Sequence, residues 1–198
     1  MDQEIEAKFY VSNLHEIHNR VYCLGAKQIQ KRSRLLNDRY DTADGSLNHA
    51  HKVLRIRTSS TSQLTYKEGS ETPGERTEIE FTISDPTAAH RMLTALGYTR
   101  FSQYETFRET FCIGDVQIML DELPFGTFVE IEGPSMQAVE DMAAQLQLDW
   151  GCRIFRGYNK LFLQLKEQCS LTFSEATFEN FSTLPSVLPA DLGVKPAD

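Results

Sequence analysis

The sequence predicts an α+β fold: a closed antiparallel β-barrel with a charged interior and helices packed on its outside. Three observations support this fold class. Segments with period-two alternation dominate the chain, and helical patterns lie between several of them. The polar face of the extended segments is mostly ionised, with charges of both signs. Closing the sheet into a barrel gives these charged faces a common interior and removes the sheet edges.

Eight segments have the composition and alternation of β-strands. They are QEIEAKFYV (3–11), LLNDRYDT (35–42), VLRIRT (53–58), QLTYKEG (63–69), RTEIEFTI (76–83), YETFRETFCI (104–113), VQIMLDEL (116–123) and TFVEIEG (127–133).

Four segments have helical spacing of their apolar residues. The first follows a predicted N-cap at Ser12 and ends at Gly25. The second begins after Asp85, with Pro86 in the first helical position, and the third begins at Ser135. The fourth is a shorter helix within 156–168. These helices would cover the apolar faces of the strands.

The charged strand faces allow two interpretations. A solvent-facing sheet with cross-strand salt bridges would explain any single strand, since charged side chains are usually exposed. The same pattern in seven segments favours an inward-facing charged lumen. Charges there are costly unless they are paired or bound by a ligand. Carboxylates and basic side chains together suit a metal-bound polyanion such as a triphosphate, because Mg²⁺ and Mn²⁺ prefer oxygen ligands and arginine binds phosphate bidentately.

Composition narrows the class of protein. The 198 residues carry a net charge of −8 and are 40% hydrophobic, which suits one compact domain. The acidic balance argues against general nucleic-acid binding.

No apolar run has the length of a membrane helix, and the first residues do not resemble a signal peptide, so we expect a cytoplasmic protein without a membrane partner. The four cysteines show no metal-binding spacing and are expected to be buried and reduced.

The ordered set of motifs resembles the CYTH family, the triphosphate tunnel metalloenzymes. Its ExExK signature is similar to EIEAK at residues 4–8. NDRYDT, VLRIR, LTYKEG, ERTEIEF, FRETF, MLDE, FVEIEG and GYNKL follow in the expected order. The family includes class IV adenylyl cyclases, thiamine triphosphatases, inorganic triphosphatases and RNA-capping triphosphatases. The resemblance implies a closed eight-stranded antiparallel barrel over residues 1–166. Residues 167–198 are expected to form a partly docked C-terminal arm with a frayed end.

The resemblance also implies roles for individual residues. Glu4, Glu6 and Glu132 resemble metal ligands, and Asp121 and Glu130 resemble partners of a second metal or of an activated water. Lys67 and Tyr40 resemble a pair that activates water, and Glu78 and Glu80 resemble supporting acids. The implied triphosphate-binding set is Lys8, Arg55, Arg57, Lys67, Arg76, Arg108 and Lys160. One departure is Thr106, which stands where many members carry a lysine.

The function first expected is a Mg²⁺- or Mn²⁺-dependent phosphohydrolase, binding one or two ions and acting on tripolyphosphate, thiamine triphosphate or a nucleoside triphosphate. The alternative is a class IV adenylyl cyclase that converts ATP to cyclic AMP and pyrophosphate. A polyphosphate-binding module without turnover and a purely structural polar barrel are further alternatives. The expected partner is a small triphosphate, and a homodimer is an open possibility. The sequence does not choose among the triphosphates.

Overall fold

The computed structural model describes residues 2–198, in which eight antiparallel strands form a closed ring. Around the ring the order is β2, β3, β4, β5, β1, β8, β7 and β6, and β6 pairs again with β2. The strands are β1 (Asp2–Tyr10), β2 (Lys27–Asp41), β3 (Lys52–Thr58), β4 (Ser62–Gly69), β5 (Glu75–Ile83), β6 (Thr99–Ile113), β7 (Val116–Leu123) and β8 (Gly126–Glu132). The predicted closed antiparallel barrel is confirmed.

Cross-strand register brings the charged residues of β1 and β8 together. Glu6 lies opposite Glu132, and Lys8 lies opposite Glu130. On the other side of β1, Glu4 lies opposite Arg76 of β5. Because side chains alternate between the two faces of a strand, this register places all six on the inner face.

The closing pair of the ring, β2 and β6, is longer than the sequence predicts. Each strand has 15 residues, and β2 begins at Lys27, well before the predicted Leu35. Register shifts interrupt the pairing near Gln30 and near Tyr40. Such bulges bend strands and increase their twist, and this irregularity hides the period-two signal of the segment before Leu35.

Helices cover the outer face of the ring. They are α1 (Leu14–Cys23), α2 (Ser46–His49), α3 (Pro86–Ala95), α4 (Met136–Gln145), α5 (Tyr158–Gln168) and α6 (Phe178–Phe181). Asp85 and Ser135 cap α3 and α4 as predicted, each accepting a backbone N–H bond. The cap of α1 is Asn13 rather than Ser12, because the Asn13 side chain accepts from Glu16 N. None of the helices in residues 2–198 is long and apolar enough to cross a membrane.

Three apolar clusters fill the space between the barrel and its cover. The largest joins β1, β6, β7 and β8 to α1 and α4, with Phe9, Phe111 and Ile131 completely buried. A second lies under α5 and the C-terminal arm, and a third lies under α3. All four cysteines are free and none is fully buried: Cys23 and Cys169 are exposed, and Cys112 and Cys152 are half-buried, with Cys152 packed against the largest cluster. The prediction that they are buried is therefore wrong.

The C-terminal arm is docked along its length. Phe173 and Phe181 join the cluster under α5, Phe178 packs on Phe107, and the short strand β9 (Glu175–Ala176) pairs with β6. The predicted frayed end is wrong. Ala197 is buried, its N–H donates to Tyr10 O over 2.9 Å, and its carbonyl accepts from Asp149 N over 2.8 Å.

Candidate active site

The ring encloses a cavity of about 390 Å³, lined mainly by charged and polar side chains. That volume falls within the range of small-molecule sites. Of the predicted site residues, the cavity is lined by Glu4, Glu6, Lys8, Arg55, Arg57, Lys67, Arg76, Glu78, Glu80, Arg108, Glu130 and Glu132. The inward-facing charged surface inferred from the alternation is therefore present as one continuous tunnel.

One side of the tunnel carries four buried or half-buried carboxylates from β1 and β8, together with two lysines. Lys8 Nζ lies 2.5 Å from Glu6 Oε1 and 3.0 Å from Glu130 Oε2. Lys67, which extends from β4, donates to Glu4 and lies 3.2 Å from Glu78 Oε1. The two ammonium groups partly neutralise the acids, which is what allows this cluster to fold.

There are more carboxylates than lysines on this side, and the pKa values of the carboxylates are shifted as a result. Burial and the nearby Glu4 and Glu130 raise the pKa of Glu132 to about 7. Burial and Glu130 also raise the pKa of Glu6, although Lys8 opposes the shift. For Glu130, burial is outweighed by the charges of Lys8 and Arg108, which hold its pKa well below the usual value. This side is therefore a site of excess negative charge.

The facing side, formed by β2, β3 and β6, carries arginines. Burial, with the like charge of Arg55, lowers the pKa of Arg39 and of Arg57 to about 10. The Tyr104 hydroxyl lies among the three guanidinium groups. Burial raises the pKa of Tyr104, but the positive charges of these arginines outweigh burial, and the pKa lies below its usual value. Arg55 NH2 donates to Thr65 over 3.2 Å and lies 3.5 Å from Glu80 Oε2. This side has excess positive charge and would favour a bound anion.

Asp121 holds Arg108 in place and does not line the cavity. Its carboxylate accepts two bonds from the Arg108 guanidinium, at 2.6 and 2.5 Å, and a third from Tyr158 OH at 2.6 Å. Asp121 is fully buried. Because its oxygens are occupied and shielded from the tunnel, the geometry of Asp121 does not support the predicted metal-binding or catalytic role.

Tyr40 is not near Lys67, which corrects the predicted pairing. Tyr40 faces outward from β2 into the cluster under α3, and its hydroxyl bonds to His90 Nδ1. Lys67 points into the tunnel. Side chains still alternate between the two faces of β2 across the bulge between Arg39 and Tyr40. Arg39 therefore points into the tunnel, whereas Tyr40 points outward.

Lys160 lies at one mouth of the tunnel. It projects from α5 into a cavity of about 180 Å³ that shares Arg39 and Arg76 with the main cavity. Its Nζ lies 3.3 Å from His51 Nδ1. Burial and the charges of Arg76 and Arg39 lower the pKa of Lys160. The predicted position at a tunnel mouth matches this location.

Unpartnered buried atoms mark where a ligand would bind. Among the described residues, Glu4 Oε2, Arg39 Nε and Arg55 Nε are buried without a hydrogen-bond partner. One is an anionic acceptor on the acidic side, and two are cationic donors on the arginine side. Buried polar atoms are normally satisfied, so each of these three has room for a further partner, such as a water, an ion or a ligand atom.

The donor set fits a divalent cation by chemistry. Carboxylate oxygens are the ligands that Mg²⁺ and Mn²⁺ prefer, and Glu4 retains a free one. Within residues 2–198, no group of three His, Cys, Asp or Glu side chains is arranged so that it could hold a metal ion. In the structure, Lys8 and Lys67 engage Glu4, Glu6 and Glu130.

Several tunnel residues are absent from the predicted set, and three of them belong to the network of charged side chains. Arg39 and Tyr104 line the cavity, and Tyr158 anchors Asp121. Arg39 could have been found, since Leu35, Asn37 and Arg39 share one face of a period-two strand. Tyr104 falls on the Thr106 and Arg108 face of β6, but an aromatic residue there is equally compatible with packing. Tyr158 lies in GYNKL, one of the motifs that resemble the family, and that motif was the available signal for it.

A sequence model described as the CYTH domain matches residues 2–155. The chain belongs to the CYTH family. The match ends just before α5 and the C-terminal arm, so the family region contains the complete eight-stranded ring. No curated protein matches the CYTH chain in a sequence search.

Solved structures share this CYTH fold. The PH1012 protein of Pyrococcus horikoshii is 25% identical with a TM-score of 0.69, and the alignment covers 78% of this chain and 96% of that one. A candidate adenylate cyclase from Vibrio parahaemolyticus is 22% identical with a TM-score of 0.74, over 81% and 97%. A candidate adenylyl cyclase from Hippeastrum, described as having a dominant triphosphatase activity, is 18% identical with a TM-score of 0.56, over 79% and 91%.

Proposed function

We propose that the protein is a divalent-metal-dependent triphosphatase that hydrolyses a triphosphate inside the barrel. One observation carries the proposal: the tunnel separates buried carboxylates from buried arginines, and each set has an atom without a partner. A metal–triphosphate complex supplies the missing charge to both sides. Membership of the CYTH family, whose enzymes act as triphosphatases or adenylyl cyclases, supports the same class of reaction.

The arginines and lysines would bind and orient the phosphates. Arg55 and Arg57, with Arg39 and Arg76 towards the Lys160 mouth, present guanidinium groups along one side of the cavity. Arginine forms paired bonds with phosphate oxygens, whereas lysine acts as a point charge. Arg108, fixed by Asp121, adds a cation whose orientation is set before the substrate arrives.

The carboxylates of Glu4, Glu6, Glu130 and Glu132 would hold Mg²⁺ or Mn²⁺. The bound ion would neutralise phosphate charge and lower the pKa of a water nucleophile. Lys8 and Lys67, which engage these carboxylates in the structure, would then be free to donate to phosphate oxygens. Glu78 and Glu80 support the bases: Glu78 contacts Lys67, and Glu80 accepts from Thr65 over 2.7 Å.

An adenylyl cyclase would use the same charged tunnel with a different nucleophile. There the ribose 3′-hydroxyl would attack the α-phosphorus, and pyrophosphate would leave. Hydrolysis is the stronger proposal because water needs no element that orients a ribose. A non-catalytic anion-binding module is less well supported, because anion binding alone gains nothing from an acidic side facing the arginines.

The test is one incubation series with purified protein, Mg²⁺ or Mn²⁺, and tripolyphosphate, thiamine triphosphate or ATP. Phosphate, pyrophosphate and cyclic AMP are assayed together. We expect metal-dependent release of phosphate without cyclic AMP. Replacing Glu4 with Gln should reduce kcat by about 100-fold or more while leaving the melting temperature unchanged or higher. The matched control is Glu71→Gln in an exposed turn, which should retain full activity.

Two results would reject the proposal. Undiminished activity in excess chelator would rule out the metal-dependent mechanism. Cyclic AMP formed with equimolar pyrophosphate would assign the protein as a cyclase.

A further inference from the structure

A groove outside the tunnel collects positive charge, although the whole chain carries a net charge of −8. It has a volume of about 380 Å³ and lies between two segments, residues 151–156 and residues 193–195. Its lining includes Arg153, Arg156 and Lys195 and, within residues 2–198, no acidic residue. We refer to it as the basic groove. It shares no lining residue with the tunnel, and only Phe155 with the cavity at the Lys160 mouth.

Backbone hydrogen bonds attach both walls of the basic groove to strand β1. Ile154 exchanges two backbone bonds with Lys8, at 2.7 and 3.1 Å. On the other wall, Pro196 pairs with Tyr10, and Ala197 N donates to Tyr10 O over 2.9 Å. Because both walls are docked on the same strand, the space between them is set by the fold.

Arg156 joins the two walls through neutral acceptors. Its guanidinium donates to the Gln164 side chain, to Leu192 O over 3.4 Å and to Gly193 O over 3.1 Å. These bonds orient the guanidinium but do not neutralise it, because amide and carbonyl oxygens carry no net charge. Since Arg156 is also half-buried, an anion in the groove would lower the cost of its charge.

Arg153 is held by aromatic rings and a carbonyl. Its guanidinium carbon lies 4.9 Å from the centre of the Trp150 ring and 5.6 Å from that of Phe155. One N–H donates to Trp150 O over 2.9 Å, again a neutral acceptor. Contact with the ring faces restricts the side chain and leaves further N–H groups of the guanidinium for an anionic acceptor.

Lys195 adds a third cation from the opposite wall. Burial and Asp149 raise the pKa of Cys152, and the nearby charge of Lys195 opposes that rise. Asp149 is itself engaged with uncharged donors, because its oxygens accept from Gly151 N over 2.8 Å and from Cys152 Sγ over 3.3 Å. The three cations of the groove therefore come from both walls, and no carboxylate lies between them.

We propose that the basic groove is a second anion-binding site, separate from the tunnel, which binds a small oligophosphate such as pyrophosphate. The proposal does not depend on the triphosphatase activity. Isolated surface cations are usually solvated, but here two guanidinium groups are fixed in place beside a lysine. Guanidinium groups match the geometry of phosphate oxygens, and three cations suit a ligand with several negative charges. The volume of the groove is sufficient for a small ligand.

The chain contains a reporter for this site. Trp150 is its single tryptophan, and its ring contacts Arg153. Titration with pyrophosphate, in chelator and at constant ionic strength, should produce a saturable change in tryptophan fluorescence. The Arg55→Gln variant, which weakens anion binding in the tunnel, should show the same change. Acetate over the same range should produce none.

Single-charge variants locate the bound anion. Lys195→Gln should raise the Kd for pyrophosphate by about tenfold, because it removes a charged donor from the groove without altering Trp150. The matched control is Lys31→Gln on β2, which changes another exposed lysine and should leave the Kd unchanged. A fluorescence change that is lost in Arg55→Gln and retained in Lys195→Gln would place the anion in the tunnel and overturn the proposal.

Calorimetry detects binding even if the fluorescence of Trp150 does not respond. Arg55→Gln protein in chelator should still bind pyrophosphate at one site, and adding Arg153→Gln, Lys195→Gln should weaken that binding by about tenfold or more. Arg156 is left intact because it connects the two walls. Adding Arg91→Gln, Lys31→Gln removes the same charge from exposed positions elsewhere and should have no effect. Equal affinities of these two variants, or no binding to Arg55→Gln protein, would overturn the proposal.

A phosphate-bearing lipid headgroup offers the same chemistry as a free oligophosphate. Flotation with phosphatidylcholine vesicles, with and without phosphatidic acid, separates the two sources. Pyrophosphate binding without a preference for phosphatidic acid supports the proposal. A preference for phosphatidic acid that Lys195→Gln removes, in a protein that does not bind pyrophosphate, would assign the groove to a lipid surface and overturn it.

Discussion

At the scale of single residues, the tunnel contains charged side chains whose charges are not fully neutralised by their neighbours. Burial and like-charged neighbours lower the pKa of Arg39 and Arg57, whereas burial and neighbouring acids raise those of Glu6 and Glu132. Each shift means that the charged form is less stable in the folded protein than in water. These positions lower the free energy of unfolding of the protein, which is common at residues of a functional site.

Removing the charge of Glu132 should therefore stabilise the metal-free protein. The folded pKa of about 7 lies above the unfolded value of 4.5, so the folded state binds more protons between these values and loses stability as pH rises through them. In chelator at pH 8, Glu132→Gln should increase the free energy of unfolding by about 1 kcal/mol, less than the full shift implies because the group is partly exposed.

Urea denaturation at pH 5 and pH 8 measures this difference. At pH 5 the variant and the wild type should be equally stable, because Glu132 is then protonated in the fold. Glu71→Gln in the exposed turn is the control and should match the wild type at both values. A Glu132→Gln protein that is less stable than the wild type at pH 8 would show that this carboxylate is not under electrostatic stress.

At the scale of elements, the C-terminal arm ties helix α1 to the barrel. The Asp198 side chain accepts from Ser12 N and Asn13 N, each over 2.8 Å, and these residues begin the turn into α1. Pro196 pairs with Tyr10 at the end of β1. The arm thus supplies anionic acceptors to backbone N–H groups that precede a helix, where negative charge is favourable.

Replacing Asp198 with Ala should lower stability by about 1 kcal/mol, the usual value of a helix-capping carboxylate. For a chain of this size, that corresponds to about 2–4 °C in the melting temperature. Lys195→Ala, an exposed change in the same segment, serves as the control in a calorimetric scan. Equal melting temperatures for the two variants would mean that the contacts of Asp198 contribute nothing to the fold.

At the scale of the whole molecule, the closed ring couples two oppositely charged surfaces across one cavity. A cation would neutralise the excess negative charge of the acidic side, and a triphosphate would neutralise the excess positive charge of the arginine side. Each should therefore strengthen the binding of the other. Saturating Ca²⁺ with ATP should raise the melting temperature by about 5–10 °C at concentrations near 100 Kd, more than the sum of the separate shifts. We choose Ca²⁺ because its looser coordination supports little turnover.

Arginine variants provide the controls for that thermal shift. Arg55→Gln should abolish the extra stabilisation by ATP, whereas Arg91→Gln on the exposed side of α3 should preserve it. Shifts that are merely additive in the wild type would contradict coupling across the cavity.

The sequence predicts the barrel well because alternation is a local property of each strand. Every residue of the acidic side was identifiable from the faces that Glu4, Glu6, Glu130 and Glu132 share. The roles of Asp121 and Tyr40 could not be read in this way, since they depend on long-range partners. Asp121 is occupied by Arg108 and Tyr158, and Tyr40 lies beneath His90. Alternation predicts the face of the sheet on which a side chain lies, but not which residues contact it there.

The pairing of β2 with β6 also constrains how the chain folds. It joins residues 27–41 to residues 99–113, so the ring cannot close until the segment between them has been ordered. Loop-closure entropy is lost before such distant contacts form, and chains rich in them fold in milliseconds to seconds rather than microseconds. The tunnel, and with it any ligand affinity, should thus be complete only after these distant strand pairs have formed.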